Sequence, residues 1–397
     1  MGLNDTASAE RIHIGFFGRR NAGKSSIVNA VTGQSLCVVS DVKGTTTDPV
    51  QKAMELLPLG PVVIIDTPGI DDEGQLGKMR VEKTREVLDK TDIAVLVVDA
   101  SAGFGKEDGE LEAELRRRKI PLITVFNKSD LIEKRDTPPD GAIFASAKSG
   151  EGINQIKEAL ASLASSLPKT RPIVCDLIKE GDTVVLVTPI DESAPKGRII
   201  LPQQLVLREV LDSHATAILT QPEQLATTLA SLKSPPRMVI TDSQAFGRVA
   251  PIVSEDIPLT SFSILMARYK GDLGTLSQGF RALSSLKNGD RVLIAEGCTH
   301  HRQCNDIGTV KMPRWIEDFT GVKPEYTFTS GGDYPTDLTP FALVVHCGGC
   351  MLNEAAMRSR TERTVSQGVP IVNYGVAIAC MHGILKRSLA LFPDLLD

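Results

Sequence analysis

Aromatic residues are scarce in this chain of 397 residues: they make up 4% of it, and Trp315 is the single tryptophan. A stacking platform for single-stranded nucleic acid is therefore not expected. The formal net charge of −5 also argues against a protein that coats nucleic acid, since such proteins are normally basic. No apolar run reaches the roughly eighteen residues of a membrane-spanning helix, so none is expected.

The N-terminal segment MGLNDTASAERIH has no apolar core of the kind that a secretory signal peptide needs, so we expect a cytoplasmic location. Gly2 and Thr6 match the pattern for N-myristoylation. That pattern is short and no polybasic stretch follows it, so a frayed tail is the favoured interpretation. At roughly 150 residues per domain, the length predicts two or three domains.

Short apolar runs alternate with helical patterns along the first part of the chain, residues 1–168. The runs VVIIDTPG, IAVLVVDAS and PLITVFNKSD each end in a polar loop, and helices are predicted between them, for example over 107–119. Such alternation is typical of βαβ units, so the expected fold class is α/β with a mostly parallel sheet. Residues 165–172 carry two prolines and are the first predicted linker.

Two further α/β parts are predicted after this linker. Residues 173–261 contain no visible catalytic motif, and their apolar helices leave them free to act as an assembly surface. Residues 262–397 resume the strand–helix alternation of a doubly wound sheet. In this third part we expect one long helix over 261–286 and another over 380–392.

The segment GRRNAGKS, residues 18–25, matches the phosphate-loop pattern G-x-x-x-x-G-K-[ST]. It lies between a predicted strand and a predicted helix, where glycines let backbone N–H groups curl around phosphates at a helix N-terminus. We expect Lys24 to reach the β- and γ-phosphates and the Ser25 hydroxyl to bind Mg²⁺.

Three later segments complete a predicted nucleotide site: DTPG at 66–69, NKSD at 127–130 and SAK at 146–148. The carboxylate of Asp66 suits a Mg²⁺-bound water. The carboxylate of Asp130 can accept hydrogen bonds from N1–H and the amino group of guanine, which adenine cannot supply. The expected GTP-binding residues are Gly18, Asn21, Ala22, Gly23, Lys24, Ser25, Ser26, Asp66, Gly69, Asn127, Lys128, Asp130, Ser146, Ala147 and Lys148.

These motifs, in this order over residues 11–150, resemble the translation-factor-like GTPases of the Era and TrmE type. The resemblance implies GTP hydrolysis. Its expected catalytic residues are Lys24, Thr46, Asp66 and Gly69. Asn21 stands where potassium-activated members hold K⁺ beside the phosphates, although Asn is also a common turn residue. Ile70 follows the DTPG motif in place of a water-orienting Gln, so slow hydrolysis by the isolated protein is expected.

The first switch is predicted in the segment GTTTDP, residues 44–49, between the phosphate loop and Asp66. Thr46 is the preferred contact to Mg²⁺ and the γ-phosphate, with Thr45 and Thr47 as alternatives.

Seven cysteines are present, and five of them lie after residue 290. An odd number in a reducing compartment argues against a disulfide framework. The segments CTH at 298–300 and HCGGC at 346–350 each follow a predicted strand, which indicates a metal site at the sheet edge. Cys304 is a weaker additional candidate ligand. Cys37, Cys175 and Cys380 are expected to be small buried hydrophobic residues.

Soft thiolates favour Zn²⁺ or an iron–sulfur cluster, and the spacing alone leaves both open. Cys298, Cys347 and Cys350 with an exchangeable fourth ligand would suit a 4Fe-4S cluster. The same thiols with His300 or His346 as a firm fourth ligand would suit a closed structural zinc site.

The GTPase motifs followed by C-x-H and H-C-x-x-C resemble the HydF family of GTPase maturation factors of FeFe-hydrogenase. The resemblance covers the whole chain and implies three α/β domains: a Ras-like P-loop GTPase domain, a small dimerisation domain and a C-terminal iron–sulfur domain. It implies a 4Fe-4S cluster on Cys298, Cys347 and Cys350, with His300 and His346 at the family's histidine positions. The implied role is a scaffold that forms a homodimer or higher oligomer and carries a diiron precursor. It receives material from the radical-SAM maturases HydE and HydG and delivers to apo-hydrogenase.

Two alternatives remain at this stage. One is a zinc-stabilised regulatory GTPase without cluster chemistry. The other is an RNA-linked GTPase of tRNA modification or ribosome assembly, against which the negative net charge counts.

Overall fold

The protein is described from a computed structural model, which covers residues 6–35, 49–69, 83–132, 141–168, 171–190, 199–298 and 306–395. The chain divides into two compact units, Met1–Lys169 and Thr170–Asp397. Because the second unit is not divided further, the domain boundary expected between residues 261 and 262 stays a prediction.

The first unit is built on a six-stranded sheet in the order β2-β3-β1-β4-β5-β6. All neighbouring strands are parallel except β2, which runs antiparallel to β3 at the edge. The inner strands are apolar on both faces, as expected for a parallel sheet covered on both sides. The strands are β1 (Ile12–Phe17), β2 (Val50–Leu56), β3 (Gly60–Asp66), β4 (Ile93–Asp99), β5 (Leu122–Asn127) and β6 (Ala142–Phe144).

Helices cover both faces of this sheet. They are α1 (Lys24–Thr32), α2 (Lys106–Arg117) and α3 (Ile153–Ser166), and residues 83–88 are also helical. On one face Ile27 of α1 and Ile156 of α3 pack on the sheet, and on the other Leu115 of α2 does so. This is the α/β arrangement expected for this part of the chain.

The second unit contains two four-stranded sheets, and every pairing in them is parallel. The first has the order β10-β9-β7-β8 and consists of β7 (Thr183–Val187), β8 (Thr216–Thr220), β9 (Met238–Thr241) and β10 (Leu259–Ser261). The second has the order β12-β11-β13-β14 and consists of β11 (Arg291–Ala295), β12 (Glu325–Thr329), β13 (Leu343–His346) and β14 (Ile371–Asn373).

The helices of this unit pack against both sheets. They are α4 (Leu201–Asp212), α5 (Leu225–Ser231), α6 (Phe246–Val249), α7 (Phe262–Lys270), α8 (Leu273–Gln278), α9 (Phe280–Leu283), α10 (Met312–Thr320), α11 (Glu354–Ser366), α12 (Tyr374–Met381) and α13 (Leu385–Ser388). Within the parts of the chain listed above, no helix combines the length and apolar character needed to cross a membrane.

The two sheets of the second unit share one hydrophobic core. Val185 and Val239 of the first sheet belong to the same buried cluster as Leu293 and Val344 of the second. Arg387, on α13, adds a polar link because its guanidinium donates to main-chain carbonyls that follow α6, including that of Val253 at 2.7 Å. The two sheets are therefore parts of a single packed body.

Two predicted helices differ from those in the structure. The helix expected over 261–286 is broken into α7, α8 and α9. Gly279 lies so close to β14 that an added Cβ would be 2.0 Å from the Ile371 carbonyl oxygen, and the Asp272 side chain caps α8 by accepting from the Gly274 N–H. The helix expected over 380–392 begins earlier, at Tyr374, and ends before Gly383, whose φ is +71°.

Candidate functional site

The phosphate loop, residues 18–25, connects β1 to α1. Gly18 and Gly23 have φ values of +142° and +89°, which favour glycine. An added Cβ at Gly18 would lie 2.1 Å from the Val97 carbonyl oxygen, and one at Gly23 would lie 2.1 Å from Nδ2 of Asn127. Both glycines are therefore required by backbone conformation and by close packing.

Lys24 and Ser25 lie at the start of α1. The buried Lys24 ammonium donates to the carbonyl oxygens of Gly18 at 3.0 Å and Arg19 at 2.9 Å, so the loop's own backbone holds it. The Ser25 hydroxyl donates to Asp66 Oδ2 at 2.5 Å. A hydroxyl and a carboxylate in contact at the phosphate loop are the oxygen ligands that a Mg²⁺ site uses, directly or through water.

The segments predicted to recognise guanine converge beside this loop. Asn127 Nδ2 donates to the Ala22 carbonyl at 2.9 Å, and Asn127 Oδ1 accepts from the Ala147 N–H at 3.2 Å. The Ser146 hydroxyl donates to Asp130 Oδ1 at 2.6 Å. One asparagine thus joins the phosphate loop to the SAK segment. The Ser146 contact fixes the carboxylate expected to read guanine.

An open pocket of about 350 Å³ lies against α1 and the SAK segment. Its lining includes Ser26, Asn29 and Ala147. A volume of this size lies in the usual range for small-molecule sites.

Lys128 has a left-handed backbone, with φ at +63°, and its ammonium donates to Asp99 Oδ2 at 2.6 Å. Partial burial acts to raise the pKa of Asp99. Hydrogen bonds from Lys128 and Ser101 outweigh it and hold that pKa below its usual value. The pair joins the ends of β4 and β5 and fixes the start of the NKSD segment.

Sequence reasoning missed a partly buried ion pair that anchors the phosphate loop. Arg19 Nε lies 2.8 Å from Oδ2 of Asp108, whose side chain is fully buried on α2, and another Arg19 nitrogen donates to the Gly103 carbonyl at 2.6 Å. Burial raises the pKa of Asp108, while the Gly105 N–H and Arg19 act against that rise. No motif signals the pair, because the position of Arg19 in the phosphate-loop pattern accepts any residue.

Several predicted residues lie outside the described residues. This group contains Thr46 and the rest of the predicted first switch up to residue 48, together with Ile70, His300, Cys304 and Cys37. Asn21 is described: it is exposed and has φ at +59°, a left-handed conformation that Asn adopts more readily than most residues.

The predicted metal-binding segments leave neighbouring strands at one edge of the second sheet. Ala295 of β11 pairs with His346 of β13, so Cys298 and Cys347 follow at the same carboxyl edge. Cys347 Sγ accepts the Gly297 N–H at 3.1 Å and the Gly349 N–H at 3.4 Å. We call residues 347–352 the cysteine loop.

The thiols of this region interact electrostatically. Burial raises the pKa of Cys347 to about 12, and the charges of Cys298 and Cys350 contribute to that rise. These two cysteines are only partly buried, and all three are free thiols. Among the described residues, which stop at Cys298 and resume at Asp306, no three His, Cys, Asp or Glu side chains converge on one metal position. The donor set itself, soft thiols with amides directed at sulfur, fits a thiolate-bound metal centre.

His346 is fully buried and both of its ring nitrogens have partners. Nε2 lies 3.0 Å from an Arg360 nitrogen, and Nδ1 lies 2.8 Å from the Cys347 carbonyl oxygen. Because an arginine only donates, Nε2 accepts and Nδ1–H donates. Burial, with the Arg360 charge, lowers the pKa of His346 to about 3. In this arrangement His346 stabilises the cysteine loop through the Cys347 carbonyl. Metal ligation through Nε2 would require the contact with Arg360 to break.

The expectation that Cys175 is buried is wrong. The residue is exposed, at the start of a 3₁₀ turn (Cys175–Leu177). The Glu209 carboxylate accepts the N–H groups of Ile173, Val174 and Cys175, which holds this surface segment on α4. Cys380, at the end of α12, is partly buried.

Comparison with protein families identifies the second unit. A model described as "Hydrogen maturase F dimerization domain" matches residues 173–271, and one described as "Hydrogen maturase F tetramerization domain" matches residues 274–391. Together they cover more than half of the chain. The chain belongs to the hydrogen maturase F family. A third model, "50S ribosome-binding GTPase", matches residues 13–128 of the first unit. The second unit thus matches a dimerization and a tetramerization model of this family and the first unit matches a GTPase model, in the order that the resemblance implies.

Curated relatives match mainly the GTPase part of this hydrogen maturase F chain. The "tRNA modification GTPase MnmE" of Synechococcus sp. (strain JA-3-3Ab) is 37% identical over 171 residues, which are 40% of this chain and 37% of that protein. "GTPase Der" of Kosmotoga olearia is 27% identical over 239 residues, 54% of this chain and 53% of that protein. The chain thus spans between about a third and about half of the length of these relatives.

Among solved structures, Era of Aquifex aeolicus bound to GDP and aluminium fluoride is similar, with 19% identity and a TM-score of 0.36. The match covers 53% of this chain and 92% of that one. A probable GTP-binding protein, EngB, has 26% identity and a TM-score of 0.32, over 39% of this chain and 99% of that one.

Proposed function

We propose that this protein is a GTP-hydrolysing scaffold whose C-terminal part binds a 4Fe-4S cluster and hands a diiron subcluster precursor to apo FeFe-hydrogenase. Cys298, Cys347 and Cys350 would hold the cluster, and the fourth ligand stays open among His300, His346 and an exogenous group. When bound, the cluster would supply an iron with an exchangeable position on which the cargo is held.

The observation that carries this proposal is the surroundings of the Cys347 thiol. Two backbone N–H groups point at its sulfur, and the charges of two other cysteines act on it. Hydrogen bonds to sulfur stabilise thiolates and tune iron–sulfur clusters. Membership of the hydrogen maturase F family favours an iron–sulfur centre over a structural zinc.

The GTPase part of the proposal assigns roles to the phosphate-loop side chains. Lys24 would neutralise charge on the β- and γ-phosphates, and Asp66 would hold a Mg²⁺-bound water. Ser25 and Thr46 would bind Mg²⁺ directly, and the Gly69 N–H would meet the γ-phosphate. The 2.5 Å contact between Ser25 and Asp66 supports a shared Mg²⁺ position. Hydrolysis by the protein alone is slow in this proposal, and K⁺ bound near Asn21 would accelerate it by offsetting transition-state charge.

GTP binding and hydrolysis would move the switch segments and thereby change contacts with partner proteins. The proposed partners are the radical-SAM maturases HydE and HydG, apo-hydrogenase and further copies of this chain in a dimer or higher oligomer. The proposed location is the cytoplasm.

Anaerobic purification followed by metal and sulfide analysis tests the proposal. We expect about four iron and four sulfide per chain, with visible-region absorbance of an iron–sulfur cluster. The loaded protein should then activate apo-hydrogenase. One zinc per chain without visible absorbance would overturn the proposal in favour of a zinc-stabilised regulatory GTPase. Salt-dependent retention of RNA would favour an RNA-linked GTPase.

A further inference from the structure

The cysteine loop rests on α7, a helix that no motif connects with metal binding. Gly348 lies against this helix, since an added Cβ would be 3.4 Å from Ser263 Oγ and 3.7 Å from Met266 Cβ. Lys270, in the last turn, reaches the other end of the loop. Ser263, Met266 and Lys270 are spaced i, i+3 and i+7, so they form one stripe along the helix.

The Lys270 ammonium holds the loop by its main chain. It donates to the Leu352 carbonyl at 2.7 Å and to the carbonyl of Cys350 itself at 3.3 Å. The side chain is only 2% exposed. Its position is thus fixed by packing, and its charge is poorly screened by solvent.

The dipoles of the cysteine loop are arranged by these contacts. The Cys350 and Leu352 carbonyls are turned to Lys270 and the Cys347 carbonyl to His346, whereas the Gly297 and Gly349 N–H groups are directed at the Cys347 sulfur. Partial positive charge therefore faces sulfur, and partial negative charge faces buried donors. This polarity favours negative charge on the Cys347 sulfur.

We propose that Lys270 is a positioning residue for the metal centre: it fixes the Cys350 end of the cysteine loop and places a buried positive charge behind the thiolates. This inference rests on the proposed cluster. Lys270 lies within residues 173–271, which match the dimerization model, whereas the cysteine loop lies within residues 274–391, which match the tetramerization model. The last helix of the dimerization region therefore helps to shape the metal centre.

The test compares the full-length Lys270→Met and Lys270→Gln proteins with wild type after anaerobic reconstitution. Met removes both the hydrogen bonds and the charge, and Gln keeps a donor without the charge. The exposed Lys233, also in the second unit, provides the matched control Lys233→Met. The readouts are iron and sulfide per chain, the rate of iron loss to a chelator, and the midpoint potential of the cluster.

Lys270→Met should lose iron to the chelator about ten-fold faster or more, as expected when a group that orients a metal ligand is removed. Both variants should shift the midpoint potential to more negative values, because a nearby positive charge favours the reduced cluster. GTP hydrolysis should be unchanged in both. If Lys270→Met does not fold, the midpoint potential of Lys270→Gln tests the inference, which requires a value more negative than that of wild type.

Folded Lys270 variants whose potential and iron-loss rate match those of Lys233→Met would overturn this inference and leave the proposed function intact. A wild-type protein without iron and sulfide would overturn both, and that result is visible before any variant is made.

Discussion

The phosphate loop of the first unit and the cysteine loop of the second each depend on a buried lysine. Lys24 and Lys270 both donate to two main-chain carbonyls, and both loops follow the carboxyl end of a parallel strand. Lys24, however, is part of the loop that it holds. Lys270 is supplied by a helix 80 residues before Cys350.

Because of this difference, a short sequence pattern describes most of the phosphate-loop site but only part of the cysteine-loop site. The phosphate loop contains its glycines, its lysine and its hydroxyl within eight residues, so one pattern describes most of the site. The cysteine loop contributes two thiols and two glycines, whereas its buried cation and its Gly297 amide come from other elements. A self-contained loop is therefore recognised from sequence, and a loop assembled by the fold is recognised only in part.

The most severe change expected in the first unit is Lys24→Ala. It removes the cation expected at the phosphates and should lower GTP hydrolysis by about a hundred-fold or more, the usual cost of losing one transition-state contact. Cluster content should stay at the wild-type level. Phosphate release and iron analysis on the same preparation measure both. Lys106→Ala, at a side chain that is 84% exposed, is the control and should change neither. Loss of iron in Lys24→Ala would contradict the proposal that GTP hydrolysis and cluster binding depend on separate sites.

The corresponding change in the second unit is Cys347→Ser. We expect loss of bound iron and sulfide, because a serine hydroxyl is a harder and weaker ligand for iron than a thiolate. GTP hydrolysis should be unchanged. The exposed Cys175 gives the matched control Cys175→Ser, which should keep the cluster. Retention of iron by Cys347→Ser, or its loss from Cys175→Ser, would argue against this ligand assignment.

A smaller effect is expected from Gly349→Ala in the cysteine loop. Gly349 has φ at +65°, and an added Cβ would lie 2.4 Å from Met357 Sδ. The strain and the clash together should lower the free energy of unfolding of the metal-free protein by about 1–3 kcal/mol. Gly383→Ala is the control, because its φ is +71° but nothing lies within 4 Å of the added Cβ. Denaturant unfolding measures both, and equal losses would rule out a close-packing role for Gly349.

The smallest effect is expected at the ion pair between Glu114 and Arg117, which lies at the surface and not in a buried position like Lys24 and Lys270. Hydrogen bonds from Arg117, and further from Arg118, lower the pKa of Glu114 to about 2. Because the unfolded value is about 4.5, the stabilisation is present above that pH and is lost as pH falls through the folded value. Glu114→Gln should cost less than about 1 kcal/mol at neutral pH, since the side chain is 32% exposed.

Denaturant unfolding of Glu114→Gln and wild type at about pH 7 and about pH 3.5 measures this dependence. The difference between the two proteins should shrink at the lower pH. Glu110→Gln, at a side chain that is 68% exposed, is the control. A difference that grows on acidification would have the wrong sign for this pair.

Most strands could be predicted from apolar runs in the sequence. The strands without a clear signal, β2, β8 and β10, all lie at the edges of their sheets. The inner strands of each sheet, such as β4 and β13, are continuous apolar segments and were predictable. The edge strand β2 was not, because VQKAMEL is mostly exposed and lies outside the parallel pattern. The edge strand β8 is only half-buried, and β10 has three residues directly before α7, so both lack a distinct signal.

The candidate sites show the same limit. Lys24, Asp66 and Asn127 are found by motif spacing, and the structure brings them together. The Arg19–Asp108 pair and the Lys270 contacts join residues about 80 or more positions apart. Because of this separation, no local sequence pattern predicts them. His346 shows the limit from another side: its place in the H-C-x-x-C motif makes it a possible ligand, but the motif gives no sign of the Arg360 nitrogen that lies 3.0 Å from its Nε2.

The continuous core of the second unit has a consequence for how such a chain can be divided. The two family models are separated only by residues 272–273. Aliphatic side chains from both sides of this boundary nevertheless pack in one hydrophobic core. Cutting the polypeptide there would expose apolar surface on both fragments. A boundary between two sequence families is therefore not always a boundary between two independently folded bodies. Here the regions that match the oligomerisation models, and with them the proposed metal site, belong to one folded body.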